Sequence, residues 1–77
     1  TGMSIVQEGR LKGAFKGFHN RDTLFEFHGG GIWRQNEYRY QYQYAYMPSA
    51  RVVNEGGKHM LYVDGIDEPI EVVRVRW

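Results

Sequence analysis

In residues 38–46, YRYQYQYAY, tyrosine occupies every second position. A period of two puts Tyr38, Tyr40, Tyr42, Tyr44 and Tyr46 on one face of an extended chain; a helix would scatter them around its axis. Nine residues at about 3.3 Å each extend for roughly 30 Å. Tyrosine also has strong β propensity and pairs well across strands. The run therefore commits the chain to a β fold, and the remaining segments have to supply partners for it.

They read as strands. In RLKGAFKGF, Leu11, Gly13, Phe15 and Gly17 share one face, and Lys12, Ala14, Lys16 and Phe18 share the other. Two glycines inside a strand predict a sharp bend or the close approach of a large ring. HNRD is a turn. TLFEF is a second strand with Thr23, Phe25 and Phe27 on one face. HGGG is a hairpin turn needing positive φ. GIWRQ is a third strand, carrying Trp33 into the core, and Asn36-Glu37 is a kink before the tyrosine run. Pro48 ends that run, because it has no N–H to give a central ladder. RVV and HMLYV flank NEGGK as a hairpin, DGID is a further turn, and IEVVRVRW is the last strand. Its apolar residues change faces, which predicts a bulge near 72–73 or a strand buried on both sides.

No segment shows helical periodicity. Five or six short strands with tight turns leave no room for a parallel crossover. The expected architecture is all-β: one domain over 1–77, an antiparallel meander curled into an SH3-like barrel, with an OB-like barrel as the alternative. Thr1–Ser4 are expected to be disordered or extraneous to the native chain. Trp77 is left open between an exposed and an interface position.

A chain of 77 residues without cysteine has no disulfide or thiolate metal site to reinforce a small core. Six Tyr, four Phe and two Trp are the compensation on offer, since each ring buries about 150–250 Å². Lys plus Arg is 10 and Asp plus Glu is 9, a net charge of +1, far from the strong basicity of a dedicated nucleic-acid binder. No apolar run reaches the ~18 residues of a membrane span, and nothing resembles a signal peptide; the expected compartment is cytoplasmic, with no membrane partner.

Alternation says that the five rings share a face and leaves open which way that face points. Arg39, Gln41, Gln43 and Ala45 form the opposite face. This polar set is expected in solvent, which turns the tyrosines inward into a thin core where each hydroxyl reaches the rim. Two other readings stay open. The rings are a stacking platform for single-stranded nucleic acid, with Arg34, Arg39, Arg51, Arg74 and Arg76 on phosphates. Or they are a surface for a protein partner or a second copy, where Tyr and Arg are enriched.

Chemistry is sparse. His19, His28 and His59 sit at or near turns without metal-ligand spacing. Asp22, Glu26, Asp64, Asp67 and Glu71 are explained by turns and edges. Ser4 and Ser49 lack a nucleophile elbow. No catalytic, cofactor or metal site is expected.

The stretches FEFHGGGIWRQNEYRYQYQYAYMPSARV and VDGIDEPIEVVRV resemble a group of small bacterial domains of no established activity. These share Phe-Glu, a glycine turn, Trp-x-Gln, an alternating tyrosine ladder, Tyr-x-Pro and a final strand. The matching positions are Phe25, Glu26, Gly31, Trp33, Gln35, the ladder tyrosines, Pro48, Asp64, Gly65 and Ile70, over roughly Thr23 to Val75. The resemblance implies a bacterial β-domain and no particular function.

The expected role is a non-catalytic binding or protein-interaction module, a homodimer among its forms, with single-stranded nucleic-acid binding as the alternative. The contact residues expected are Arg34, Tyr38, Arg39, Gln41, Gln43 and Arg76.

Overall fold

A computed structural model describes residues 3–76. Its strands are β1 (Met3–Arg10), β2 (Ala14–Phe15), β3 (Leu24–Glu26), β4 (Ile32–Gln35), β5 (Ala45–Tyr46), β6 (Ser49–Glu55), β7 (Lys58–Val63) and β8 (Ile70–Arg76). The described residues contain no helix. Six strands form one antiparallel sheet in the order β1-β6-β7-β8-β4-β3, and β2 pairs with β5 as a separate two-stranded ribbon.

The edge strands β1 and β3 meet through one bridge, Leu11 with Phe27. Main-chain bonds from Lys12 N–H to the Glu26 carbonyl and from His28 N–H to the Arg10 carbonyl, both 2.8 Å, flank it. The strand ladder does not close beyond that point. The observed architecture is a curled sheet with a ribbon packed against it.

The turns fall where their chemistry asks. Gly29, Gly30 and Gly31 take positive φ between β3 and β4, and Gly56 and Gly57 between β6 and β7. Behind the first of these turns the side-chain amide of Gln7 bridges two elements. It accepts from the Trp33 indole N–H and donates to the Gly30 carbonyl, each at 2.8 Å. A Cβ at Gly31 would meet that amide at 2.6 Å, so the turn fits only glycine there.

The core holds Leu11, Phe15, Phe18, Phe25, Phe27, Trp33, Val52, Leu61, Ile70 and Val72 among others, with Trp33 and Phe18 fully enclosed. Phe15 and Phe18, from the ribbon side, and Phe25, from β3, meet with ring centroids 5.8 to 6.2 Å apart. This trio fastens the ribbon to the sheet.

Several expectations are corrected. The long strand β1 over Met3–Arg10 is not among the expected strands: Ile5 and Val6 break its alternation, and a register shift between Ile5 and Gln7 hides it further. Met3 and Ser4, expected to be disordered, pair with Glu55 and Asn54; Thr1, Gly2 and Trp77 lie outside the described residues. The irregularity of β8 falls at Val75, between the partners of Ile32 and Trp33, and not at 72–73. Phe18, expected on the lysine face, is inside. Three steps of one segment (Phe15 to Phe18) lie against four of the other (Gln41 to Ala45), and Gly17, at φ +94°, absorbs the mismatch and turns both rings inward. A Cβ at Gly17 would lie 2.0 Å from the Gln41 carbonyl oxygen, so the glycine makes room for backbone and not for a ring.

Candidate functional site

The tyrosines point outward. Tyr38, Tyr40, Tyr42, Tyr44 and Tyr46 are 56% to 84% exposed, which reverses the expected orientation of the run. Only Ala45 and Tyr46 lie in a strand, with Gln41 held in an antiparallel pair with Phe18 by two main-chain bonds of 2.8 Å.

The reason for the reversal lies behind the segment. The interior is already filled by four Phe, Trp33 and aliphatics, so five more rings have no volume to occupy in a 9.1 kDa chain. The inward polar residues are not left without partners. Gln35, fully buried, accepts from the His19 N–H at 3.1 Å and donates to the carbonyls of Glu37 and Arg39 at 2.9 and 3.0 Å. Arg39 donates to the carbonyls of Pro69 (2.8 Å) and Glu68 (3.2 Å), pairs with Glu37 (3.4 Å), and lies over the Phe18 ring. Glu37 also accepts from the Glu71 N–H at 2.7 Å. Charge-assisted bonds of this kind make the guanidinium the better inward group. The hydroxyls of the rings stay in water, where they need no protein partner.

Cations gather along the outward side. The Arg21 guanidinium sits over the Tyr38 ring at 5.5 Å and donates to the Asn36 side chain. His19 meets Tyr40 edge-on at 5.4 Å. Arg10 donates to the Met47 carbonyl at 2.8 Å, next to Tyr46. Lys16, exposed, follows the Phe15–Ala45 pair on the neighbouring segment. Residues 14–19 and 38–46 contain no Asp or Glu.

Of the residues expected to make contacts, Tyr38 alone lies on this face with its ring free to solvent. Arg39 and Gln41 turn inward. Gln43 is exposed but borders the 65–68 loop. Arg34 is half-buried and donates to the Arg21 carbonyl at 2.7 Å, so it supports the Arg21 turn from behind. Arg76 ends β8 opposite Ile32, some five residues (roughly 16 Å) from Glu71, where the start of the run docks. Sequence reasoning missed Arg21, His19, Lys16 and Arg10. The signal that was available for two of them is the absence of acidic residues from 14–19.

A second surface feature lies across β1, β6 and β7. Arg51 rests on the Tyr62 ring at 4.7 Å, and the Tyr62 hydroxyl donates to Glu55. That hydrogen bond, with burial and the Glu55 charge, raises the Tyr62 pKa above its ordinary value, while Arg51 opposes the shift. An open groove of about 670 Å³ borders it, lined by residues of both signs. His19 and His59 lie on different rings, Tyr40 and Trp33. Among the described residues, no group of three His, Cys, Asp or Glu side chains is arranged to hold a metal ion.

No known protein family, curated protein or solved structure matches this chain.

Proposed function

We propose that this chain is a non-catalytic binding module and that its contact surface is the tyrosine face. The observation that carries the reading is the five-ring array, left exposed on a segment pinned from behind by Gln35, Glu37 and Arg39. Large exposed aromatic patches on a small domain mark interaction sites, and tyrosine supplies rigid contact area at low entropic expense. The finer architecture we read as an SH3-like barrel. The meander β6-β7-β8 and the Leu11–Phe27 bridge support it over the Greek-key order of an OB-like barrel. The pattern shared with small bacterial β-domains supports the same grouping for this chain.

The test is a stability measurement on the triple variant Tyr40→Ser/Tyr42→Ser/Tyr44→Ser. Exposed side chains change stability by about 0.5 kcal/mol or less each. The variant is expected to melt within roughly 10 °C of the parent, at the 4–8 °C per kcal/mol of a domain this size. An unfolded variant would mean that the rings serve the fold, and the binding reading would fail.

A further inference from the structure

We infer that the tyrosine face takes single-stranded nucleic acid, its bases stacking on the rings and its phosphates meeting the flanking cations; this rests on the binding-face reading above. Three observations select that ligand. The first is spacing. Alternate residues of an extended segment stand about 6.6 Å apart, roughly twice the 3.4 Å rise of one strand in a duplex. A stretched, unstacked strand matches that repeat, and a stacked duplex does not. At full extension residues 38–46 would span roughly 26 Å, an upper limit of four or five nucleotides, within the site sizes of small single-strand binders.

The second is composition. Outward positions of the two ribbon segments carry rings, Ala14, Lys16 and His19, with Gln43 beside them. These positions themselves carry no carboxylate, and Leu24 and Glu26 of β3 border Ala14, Lys16 and His19 at the side. Rings and Arg are enriched at protein interfaces as well, so the absence of a carboxylate is what favours an anionic ligand here, and a base needs only a π face.

The third is where the charge sits. Arg21 lies over Tyr38, His19 meets Tyr40 edge-on, exposed Lys16 follows the Phe15–Ala45 pair, and Arg10 donates to the Met47 carbonyl from a groove it shares with Glu8 and Asp64. Basic groups therefore lie at the start of the run, Arg21 and His19, and on the adjoining segment, Lys16. The carboxylate adjoining the run in sequence, Glu37, faces inward onto Arg39 and the Glu71 N–H, and Asp67 and Glu68 border the opposite side, at Gln41 and Gln43. The net charge of +1 keeps the non-specific electrostatic contribution small. Three phosphate contacts give a log–log salt slope of only about −2.

The experiment is an amide-resolved NMR titration of the intact chain with a mixed-sequence single-stranded DNA octamer, at ~20 and ~150 mM salt. Shifts are expected at 38–46, Lys16, His19 and Arg21, persisting at the higher salt and absent with the matching duplex. Affinity is expected to rise with oligonucleotide length up to about five nucleotides and then level off. Tyr42→Ala is expected to weaken binding about 5- to 150-fold and Tyr42→Phe by less than about twofold, because stacking uses the ring and not the hydroxyl. Arg21→Gln is expected to flatten the salt slope by about 0.7.

The inference is overturned by shifts that are diffuse and lost at ~150 mM salt, by equal binding of duplex, or by no shifts at all. It is equally overturned if peaks at 38–46 move on dilution without DNA, which would assign the face to a second copy of the chain. In each of these cases a triple serine variant that keeps its melting temperature leaves the binding face standing and removes only its ligand.

Discussion

Gln35 Nε2 donates to the carbonyl oxygen of Arg39 at 3.0 Å from a side chain with no exposure to solvent. This bond reaches from the end of β4 into a segment with no strand ladder of its own at that point. It sets the first turn of the tyrosine run and, with the bonds to Glu37 and His19, decides which side of that run faces water.

Replacing Gln35 by Leu keeps the volume and strands the His19 N–H and two carbonyls. Each unsatisfied buried group costs about 1–3 kcal/mol. A loss of roughly 3 kcal/mol is expected in urea unfolding, with faster amide exchange at His19. A variant as stable as the parent would show that the bonds do not hold the segment.

Gly17→Ala is expected to break the pairing of Phe18 with Gln41. Its Cβ would fall 2.0 Å from the Gln41 carbonyl oxygen and 2.8 Å from the Gln43 nitrogen, on a backbone at φ +94°. The main chain must move, because neither contact is a flexible side-chain end. A destabilisation above about 2 kcal/mol and lost amide protection at Phe18 and Gln41 are the expected readouts. Intact protection at both would contradict the close approach.

Much of this arrangement was legible in the residues, and some was not. The β3–β4 and β6–β7 hairpins follow from HGGG and EGGK, where only positive φ closes the turn, and Trp33 is in the core as its neighbours demanded. The alternation of 38–46 showed that the rings share a face. It did not show the direction, because that depends on acceptors distant in sequence: the carbonyls of Glu68 and Pro69 lie 29 and 30 residues from the arginine that uses them. Strand β1 has only Met3, Ile5 and Val6 as an apolar signal, without alternation, and owes its existence to its partner β6. Arg21 was visible as a charge, but its place over Tyr38 depends on contacts distant in sequence, its bond to the Asn36 side chain and the Arg34 guanidinium on its carbonyl.

Arg39→Ala is expected to lower stability by about 1–3 kcal/mol, the range for hydrogen bonds to a charged group. It removes the tie between the run and the 68–69 carbonyls and leaves Glu37 without its cation. Thermal unfolding is the check, and an unchanged melting temperature would return Arg39 to the solvent side.

The Tyr62 hydroxyl predicts a pH dependence. Its pKa is raised in the folded chain, chiefly by the bond to Glu55, so the folded state favours the protonated phenol. That contribution is present in full below the unfolded tyrosine value of about 10. It is lost as pH rises through the higher folded value. Tyr62→Phe is expected to lessen the fall in stability of the parent above pH ~10, measured by urea unfolding at stepped alkaline pH. Superimposable profiles would show that the bond contributes nothing in solution.

The most direct measurement is parallel urea unfolding of Phe18→Ala and Tyr42→Ala. Phe18 is enclosed and Tyr42 is 60% exposed, although both belong to the segments that form the ribbon face. The account predicts a loss of about 3–5 kcal/mol for Phe18→Ala, the usual cost of truncating a core aromatic, and below about 1 kcal/mol for Tyr42→Ala. Equal losses, or a larger one at Tyr42, would put the tyrosines in the core and contradict the binding face.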